Sequence, residues 1–217
     1  MTAAAFWDDY ARHYDAIWDA PVTSAAREAA RGLLGEPATL VDLGCGTGLL
    51  SAGWARGGTE VVGVDLSEPM LARAVATGRV TRPVVAAAEH VPLPDGCADA
   101  VLVGNLLHVH ADPAAVLREA RRLAAPQAPV VVIWPVPGLT ADRMLRLDLA
   151  SGRGVRSALR AHLLRMRVGV RGLRAGGAVA ARARGGHDSR GLEAVVGAEH
   201  PRADAGLVAG CQRVVAL

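Results

Sequence analysis

The stretch Leu40-Val41-Asp42-Leu43-Gly44-Cys45-Gly46-Thr47-Gly48-Leu49-Leu50 decides how the rest of the chain is read. An apolar run ending at Leu43 feeds a turn with glycine at every second position, and a helix-like pattern over 49–56 follows. Strand, tight turn and helix in that order bring bare backbone close to a ligand at the carboxyl end of a parallel strand. A side chain at Gly44, Gly46 or Gly48 would forbid the positive-φ turn or block the ligand.

Working outward, a second strand is expected over 60–65. It ends on Asp65, 17 residues after Gly48. A carboxylate there can accept both hydroxyls of a ribose. Ser67 is the expected N-cap of the helix that follows, with Pro69 in its first turn. Further strands are expected over 81–86, 100–104 and 130–134, the last fully apolar and hence central. The loop after 104 carries Asn105, His108 and His110 and faces the same crevice as the glycine turn. Pro113 opens a helix over 114–123.

On the amino-terminal side, Phe6, Tyr10, Tyr14 and Trp18 recur at i, i+4 spacing, which predicts an amphipathic helix over 6–20. Preceding the first strand, it is an outer docking helix or a lid. A second helix is expected over 24–34, capped by Thr23 or Ser24. Beyond Thr140, helices are expected over 141–149 and 155–168, broken by Gly152 and Gly154. On the second of these, Val155, Leu159, Leu163 and Met166 share one face and Arg156, Arg160 and Arg167 the other. Residues 171–186 are rich in Gly, Ala and Arg and give no definite pattern. A short helix over 189–196 and strands over 204–208 and 212–217 close the chain.

These residues together resemble the class I S-adenosylmethionine (SAM) methyltransferases, in the small-molecule group akin to the ubiquinone and menaquinone biosynthesis enzymes. Asp42-Leu43-Gly44-Cys45-Gly46-Thr47-Gly48 is similar to the first motif of that superfamily. The run Asp65-Leu66-Ser67-Glu68-Pro69-Met70-Leu71 is similar to the second, in which the hydrophobe, here Leu66, lies beside the adenine. Ala88, Glu89, Pro92, Pro94, Asp95 and Asp99 match a third run, and Asn105 to Pro113 a fourth. One departure stands out: the acid that usually accepts the adenine amino group is Ala87 here. The Ala88 backbone N–H and the Glu89 carboxylate are then the remaining candidates for that contact.

The resemblance covers 1–135 well and the remainder by topology alone. It implies an α/β, doubly wound, Rossmann-like fold in a single domain over 1–217. Within it, 1–36 would form N-terminal lid helices and 37–135 the SAM-binding core. Residues 136–188 would be a helical substrate-side insertion, and 189–217 a final helix and strands. The sheet would be seven-stranded and mostly parallel, with a reversed last strand. The implied cofactor is SAM, held by Tyr14, Asp42, Gly44, Cys45, Gly46, Thr47, Gly48, Asp65, Leu66, Met70, Ala88, Glu89 and Asn105. Tyr14-Asp15 would close over it.

SAM already carries a good leaving group, so the protein must chiefly align the reactants and exclude water. A base is required only when the acceptor has a proton to lose. His108 and His110 are the candidates, imidazole titrating near neutrality, with Tyr10, His13 and Tyr14 in reserve. Packing or loop-capping roles are the plain alternatives. Two other functions fit parts of the pattern. A nicotinamide-dependent oxidoreductase also uses a glycine turn and a strand-two acid, but wants G-x-G-x-x-G, whereas Gly48 arrives one residue early. A SAM-binding regulator or assembly protein without catalysis would accommodate Ala87.

Composition limits the partners. The chain has 217 residues, half of them apolar and only 3% aromatic, enough for one large core filled by Val, Leu and Ala. All 24 Lys/Arg positions are arginine and the net charge is only +3, as a GC-rich codon bias would produce, so no nucleic-acid partner is inferred. The three cysteines lie far apart, without metal-ligand spacing. Residues 1–7 do not read as a signal peptide, and no run is long enough to span a bilayer, so a cytoplasmic protein is expected. Charge is nevertheless uneven. Residues 143–190 hold twelve arginines against Asp148 and Asp188, whereas 1–142 hold ten against sixteen acids. That segment would face an anionic substrate, a carrier protein or an anionic membrane surface, or simply be a solvated basic face.

Overall fold

The computed structural model describes residues 3–136, 139–174, 189–198, 203–208 and 212–217. Seven strands form one sheet: β1 (Thr39–Leu43), β2 (Glu60–Asp65), β3 (Arg82–Val85), β4 (Ala100–Gly104), β5 (Val130–Pro135), β6 (Ala203–Val208) and β7 (Gln212–Ala216). Their spatial order is β3-β2-β1-β4-β5-β7-β6. The first five run parallel; β7 pairs antiparallel with both β5 and β6. The expected doubly wound, mostly parallel sheet with a reversed last strand is therefore present.

β4 and β5 are apolar at almost every position, and β1 at Leu40, Val41 and Leu43, because both faces of the sheet are covered. On one face, Val41, Leu43, Val62 and Val103 pack against α4 (Pro113–Leu123) and Leu192 and Val196 of α7 (Ser189–Gly197). On the other, Leu40, Val61, Leu102 and Ile133 pack against α2 (Pro21–Leu34) and α3 (Glu68–Ala76). Residues alternate between these cores along each strand, as the pleat requires. Strand order reverses at β1 and β4, so the crevice lies at their carboxyl ends, where Gly44 and Asn105 sit.

Ahead of the sheet, α1 (Ala3–Trp18) forms its own cluster of Tyr10, Ala11 and Ile17 with Met70 of α3. After it come α5 (Ala141–Ala150) and α6 (Val155–Arg174), which pack on each other, with α6 also touching α1. Of the two helices expected as a lid, α1 borders the crevice through Trp7, Tyr14 and Trp18. The second expected lid helix, α2, lies on the sheet, and only its first turn reaches the crevice.

Three details depart from expectation. The helix expected over 49–56 is replaced by turns and a single 3-10 turn, Ala55–Gly57. Gly53 (φ +102°) interrupts it, and Trp54 is fixed by its Nε1–H to Gly35 O bond of 2.9 Å. Next, α2 begins at Pro21, so its N-cap is Ala20, which has no side-chain acceptor, and the Thr23 hydroxyl instead donates to Trp18 O at 2.6 Å. Finally, the apolar and basic residues of α6, expected on opposite faces, lie side by side on its exposed side. Val155, Leu159, Leu163 and Met166 are 46–61% exposed, while Ala158, Ala161 and Arg165 are buried. Most of 171–186 lies outside the described residues.

Candidate functional site

The glycine turn is shaped by what surrounds it. Gly44, Gly46 and Gly48 all have positive φ (+67°, +54° and +71°). A Cβ on Gly44 would stand 2.9 Å from Leu106, and one on Gly48 equally close to Arg79 Cβ. Gly48 therefore excludes a side chain on steric as well as conformational grounds, and Gly44 on conformational grounds. Asp65, at the end of β2, holds the turn open: Oδ2 accepts the Gly46 N–H at 2.8 Å and Oδ1 the Ser67 N–H at 2.9 Å. Each oxygen keeps a second lone pair for a ligand. Burial raises the Asp65 carboxyl, and the backbone donors offset part of that rise. Ser67 caps α3 by accepting the Met70 N–H, as expected.

Two adjoining cavities open on this turn. The larger is lined by Trp7, Tyr14, Gly44, Gly46, Asp65, Leu66, Met70, Ala86, Ala88, Glu89, Gly104, Asn105, Leu106, Val109 and His110. The smaller is lined by Trp18, Thr23, Asp42, Cys45, Leu49 and Leu50, and shares Tyr14, Gly44, Gly104 and Asn105 with the larger. Twelve of the residues expected from sequence meet here: Tyr14, Asp42, Gly44, Cys45, Gly46, Asp65, Leu66, Met70, Ala88, Glu89, Asn105 and His110. Thr47, Gly48 and His108 line neither cavity.

At the smaller cavity, two acceptors are buried without hydrogen-bond partners. They are Asp42 Oδ2 and Asn105 Oδ1. An unmet buried acceptor costs about 1–3 kcal/mol, which a ligand donor would recover. Burial pushes the Asp42 carboxyl up to about 7; the Ser51 hydroxyl opposes this and Asp65 adds to it. Asn105 adopts φ +54°, a conformation Asn tolerates better than most residues and one that gathers at functional sites. Its own N–H is fixed on Ile133 O at 2.8 Å.

The histidines have separated. His110 lines the cavity, with Nε2 3.1 Å from Glu89 Oε2 and Nδ1 accepting the Asp112 N–H at 3.1 Å. His108 lies in the one-turn helix Leu107–Val109; burial pushes it down to about 4 and its Nδ1 has no partner. Of the reserves, Tyr10 accepts the Trp18 indole N–H at 2.7 Å, and neither it nor His13 lines a cavity.

Sequence reasoning missed how α1 is held over the glycine turn. Asp15 accepts the Thr47 hydroxyl and the Arg79 guanidinium (3.0 Å), Arg79 also donates to Thr47 O (3.1 Å), and Asp8 accepts the Ser67 hydroxyl at 2.6 Å. These bonds seat Tyr14 over Gly46, its ring 3.6 Å from where a Cβ would stand. Partners 32 to 64 residues apart leave no local signal. Trp7, Trp18 and Thr23 are further lining residues, and of these the aromatic spacing of α1 hinted only at Trp18.

The cavities fit SAM by their donor and acceptor chemistry. Free acceptors suit its ammonium group, the Asp65 carboxylate its ribose, and Leu66, Met70 and Ala88 an adenine. The sheet also argues against the nicotinamide alternative, whose fold runs its six strands parallel in the order 3-2-1-4-5-6.

Known proteins agree with this geometry. Residues 41–132 match the family described as "Methyltransferase domain". A demethylmenaquinone methyltransferase of Thermus thermophilus is 38% identical over 108 residues, 46% of this chain and 49% of that protein. An uncharacterized methyltransferase of Mycobacterium tuberculosis is 36% identical over 95 residues, 44% of this chain and 39% of that one. The chain thus spans less than half the length of these curated relatives. Among solved structures, a SAM-dependent methyltransferase from Aquifex aeolicus shares the fold over 100% of this chain and 98% of its own, with TM-score 0.58 and 14% identity. Residues 41–132 thus match a methyltransferase domain, and the chain is similar to class I SAM-dependent methyltransferases.

Proposed function

We propose that this chain binds SAM across the two cavities and transfers its methyl group to a small-molecule acceptor. The observation that carries the reading is the pair of unmet buried acceptors, Asp42 Oδ2 and Asn105 Oδ1, beside the open backbone of Gly44. A cationic, donor-rich group is what such a pocket lacks. The ammonium end belongs in the smaller cavity, and Asp65 takes the ribose hydroxyls. Leu66, Met70 and Ala88 pack the adenine, with Glu89 beside its edge. Tyr14 and the lid exclude water.

The cofactor supplies a methyl on a sulfonium, already activated for displacement. The protein's part is alignment: Asn105, Gly104 and Tyr14 border both cavities and so fix the junction between the two ends of the ligand. His110 is the base we assign for a protic acceptor, because it lines the cavity; in that role Nε2 passes its proton to the Glu89 carboxylate 3.1 Å away and takes the acceptor's. His108 is set aside from that role by its position. The resemblance to a quinone-modifying relative favours a small acceptor over a nucleic acid. Cys45 and Cys97 are free thiols, which supports a cytoplasmic setting.

Incubation with methyl-tritiated SAM and a panel of phenols, quinones, amines and carboxylic acids tests the reading. Labelled product together with S-adenosylhomocysteine is expected with at least one class. SAM binding without product from any of them would favour the non-catalytic alternative. NADPH binding without SAM binding would end the proposal.

A further inference from the structure

The outward face of α6 takes no part in either cavity, yet it is not an ordinary solvated face. Its buried side is made of Ala158, Ala161 and Arg165. Arg165 is consumed internally, donating to Asp148 Oδ2 at 2.8 Å and to Ile17 O at 2.7 and 3.2 Å. Asp148, one of only two acids on α5 and the described part of α6, is thereby neutralised, with Arg153 on its other oxygen at 3.2 Å. What remains outside is apolar and basic. Val155, Leu159, Leu163 and Met166 are 46–61% exposed and fall within about 80° of the helix circumference. Arg156, Arg160 and Arg167 follow directly around the helix. They are exposed, and among the described residues none is engaged in an ion pair or hydrogen bond.

Scattered surface leucines need no explanation, but a continuous aliphatic stripe bordered by free arginines does. The stripe runs about 16 Å along a convex helix and lines no cavity, so it offers a shaped partner little to grip. A fluid apolar layer beneath an anionic surface matches both halves of it. Aliphatic side chains can enter the acyl boundary while guanidinium groups stay at phosphate level. We propose that α6 docks on an anionic lipid bilayer. The same helix holds the lid, through Arg165 on the carbonyl of Ile17 and Leu164 against the α1 cluster. Docking would therefore place the bilayer next to the element that covers the cavity.

The test is co-sedimentation of the full chain with vesicles of phosphatidylcholine alone or mixed with phosphatidylglycerol. Binding is expected to the mixed vesicles only, weakening as salt is raised. Replacing Arg156, Arg160 and Arg167 together by Gln should lower partitioning about a hundredfold. Leu159→Glu with Leu163→Glu should lower it about tenfold or more. Circular dichroism and S-adenosylhomocysteine binding should stay unchanged in both variants, which separates this proposal from the catalytic one. Equal partitioning of wild type onto both vesicle types would overturn it, with no variant needed. So would loss of vesicle binding to poly-glutamate competition together with an unaffected Leu159/Leu163 variant; that outcome would point to an acidic protein instead.

Discussion

The two halves of the crevice are built on opposite plans. At the strand ends, the proposed recognition rests on backbone, one acid and one amide that lie close to a glycine: Gly44, Gly46, Asp65 and Asn105. On the helical side, α1, α5 and α6 are held by contacts between distant segments, such as Asp15 with Arg79 and Arg165 with Ile17. The first plan leaves polar groups unmet and waiting, whereas the second meets its buried charges internally and exposes apolar surface. One half is thus prepared for a particular ligand, and the other sets what may approach it.

The sharpest way to break this contrast is Asp65→Ala. It removes the acceptor of two backbone N–H groups and of the proposed ribose hydroxyls together. S-adenosylhomocysteine affinity, measured calorimetrically, should fall about a hundredfold or more. A loss confined to a few-fold would mean the turn does not need its carboxylate.

Asp42 gives the next largest effect, through pH. Its carboxyl is raised to about 7 in the fold against 3.8 ordinarily, so the folded chain holds an extra proton between those values. Its contribution to stability is therefore present below about 4 and lost as pH rises through 7. Cofactor affinity should run the other way. It should rise about tenfold per unit as pH approaches 7 and level off above it, because the ionised form receives the ammonium. Asp42→Asn should flatten that profile and weaken binding about tenfold at pH 8, while raising the melting temperature there. A variant that keeps the profile would assign the titration to another group.

On the helical side the effects should be smaller. Asp15→Ala unlatches the lid from Thr47 and Arg79 without touching the cavity wall. Stopped-flow release of S-adenosylhomocysteine should speed about fivefold, with affinity following and thermal stability little changed. Smallest of all, Glu89→Gln should cost about threefold or less, since that carboxylate is solvent-accessible and already paired with His110. A large loss there would show that Glu89 has taken over the adenine contact for which Ala87 offers no acceptor.

The same contrast explains what could be read from the chain beforehand. Strands, glycine turn, Asp65 and the Asn105 loop follow from short-range spacing, because backbone approach and parallel pairing constrain neighbouring residues directly. The lid latch did not, since Asp15 and Arg79 become neighbours only after folding. Nor did the orientation of α6. Periodicity revealed its aliphatic and basic stripes, but the body is contacted by the small Ala158 and Ala161 and by Arg165, whose partners lie on α5 and α1. The turns in place of a helix after Gly48 have a similar cause: Trp54 is fixed by the carbonyl of Gly35, a contact beyond any local pattern.

The central claim is that the junction of the two cavities receives SAM. Isothermal titration of the chain with S-adenosylhomocysteine, and separately with NADPH, addresses it most directly. The account predicts one S-adenosylhomocysteine bound per chain and no heat from NADPH. Absence of S-adenosylhomocysteine binding by the folded chain, or NADPH binding in its place, would contradict it.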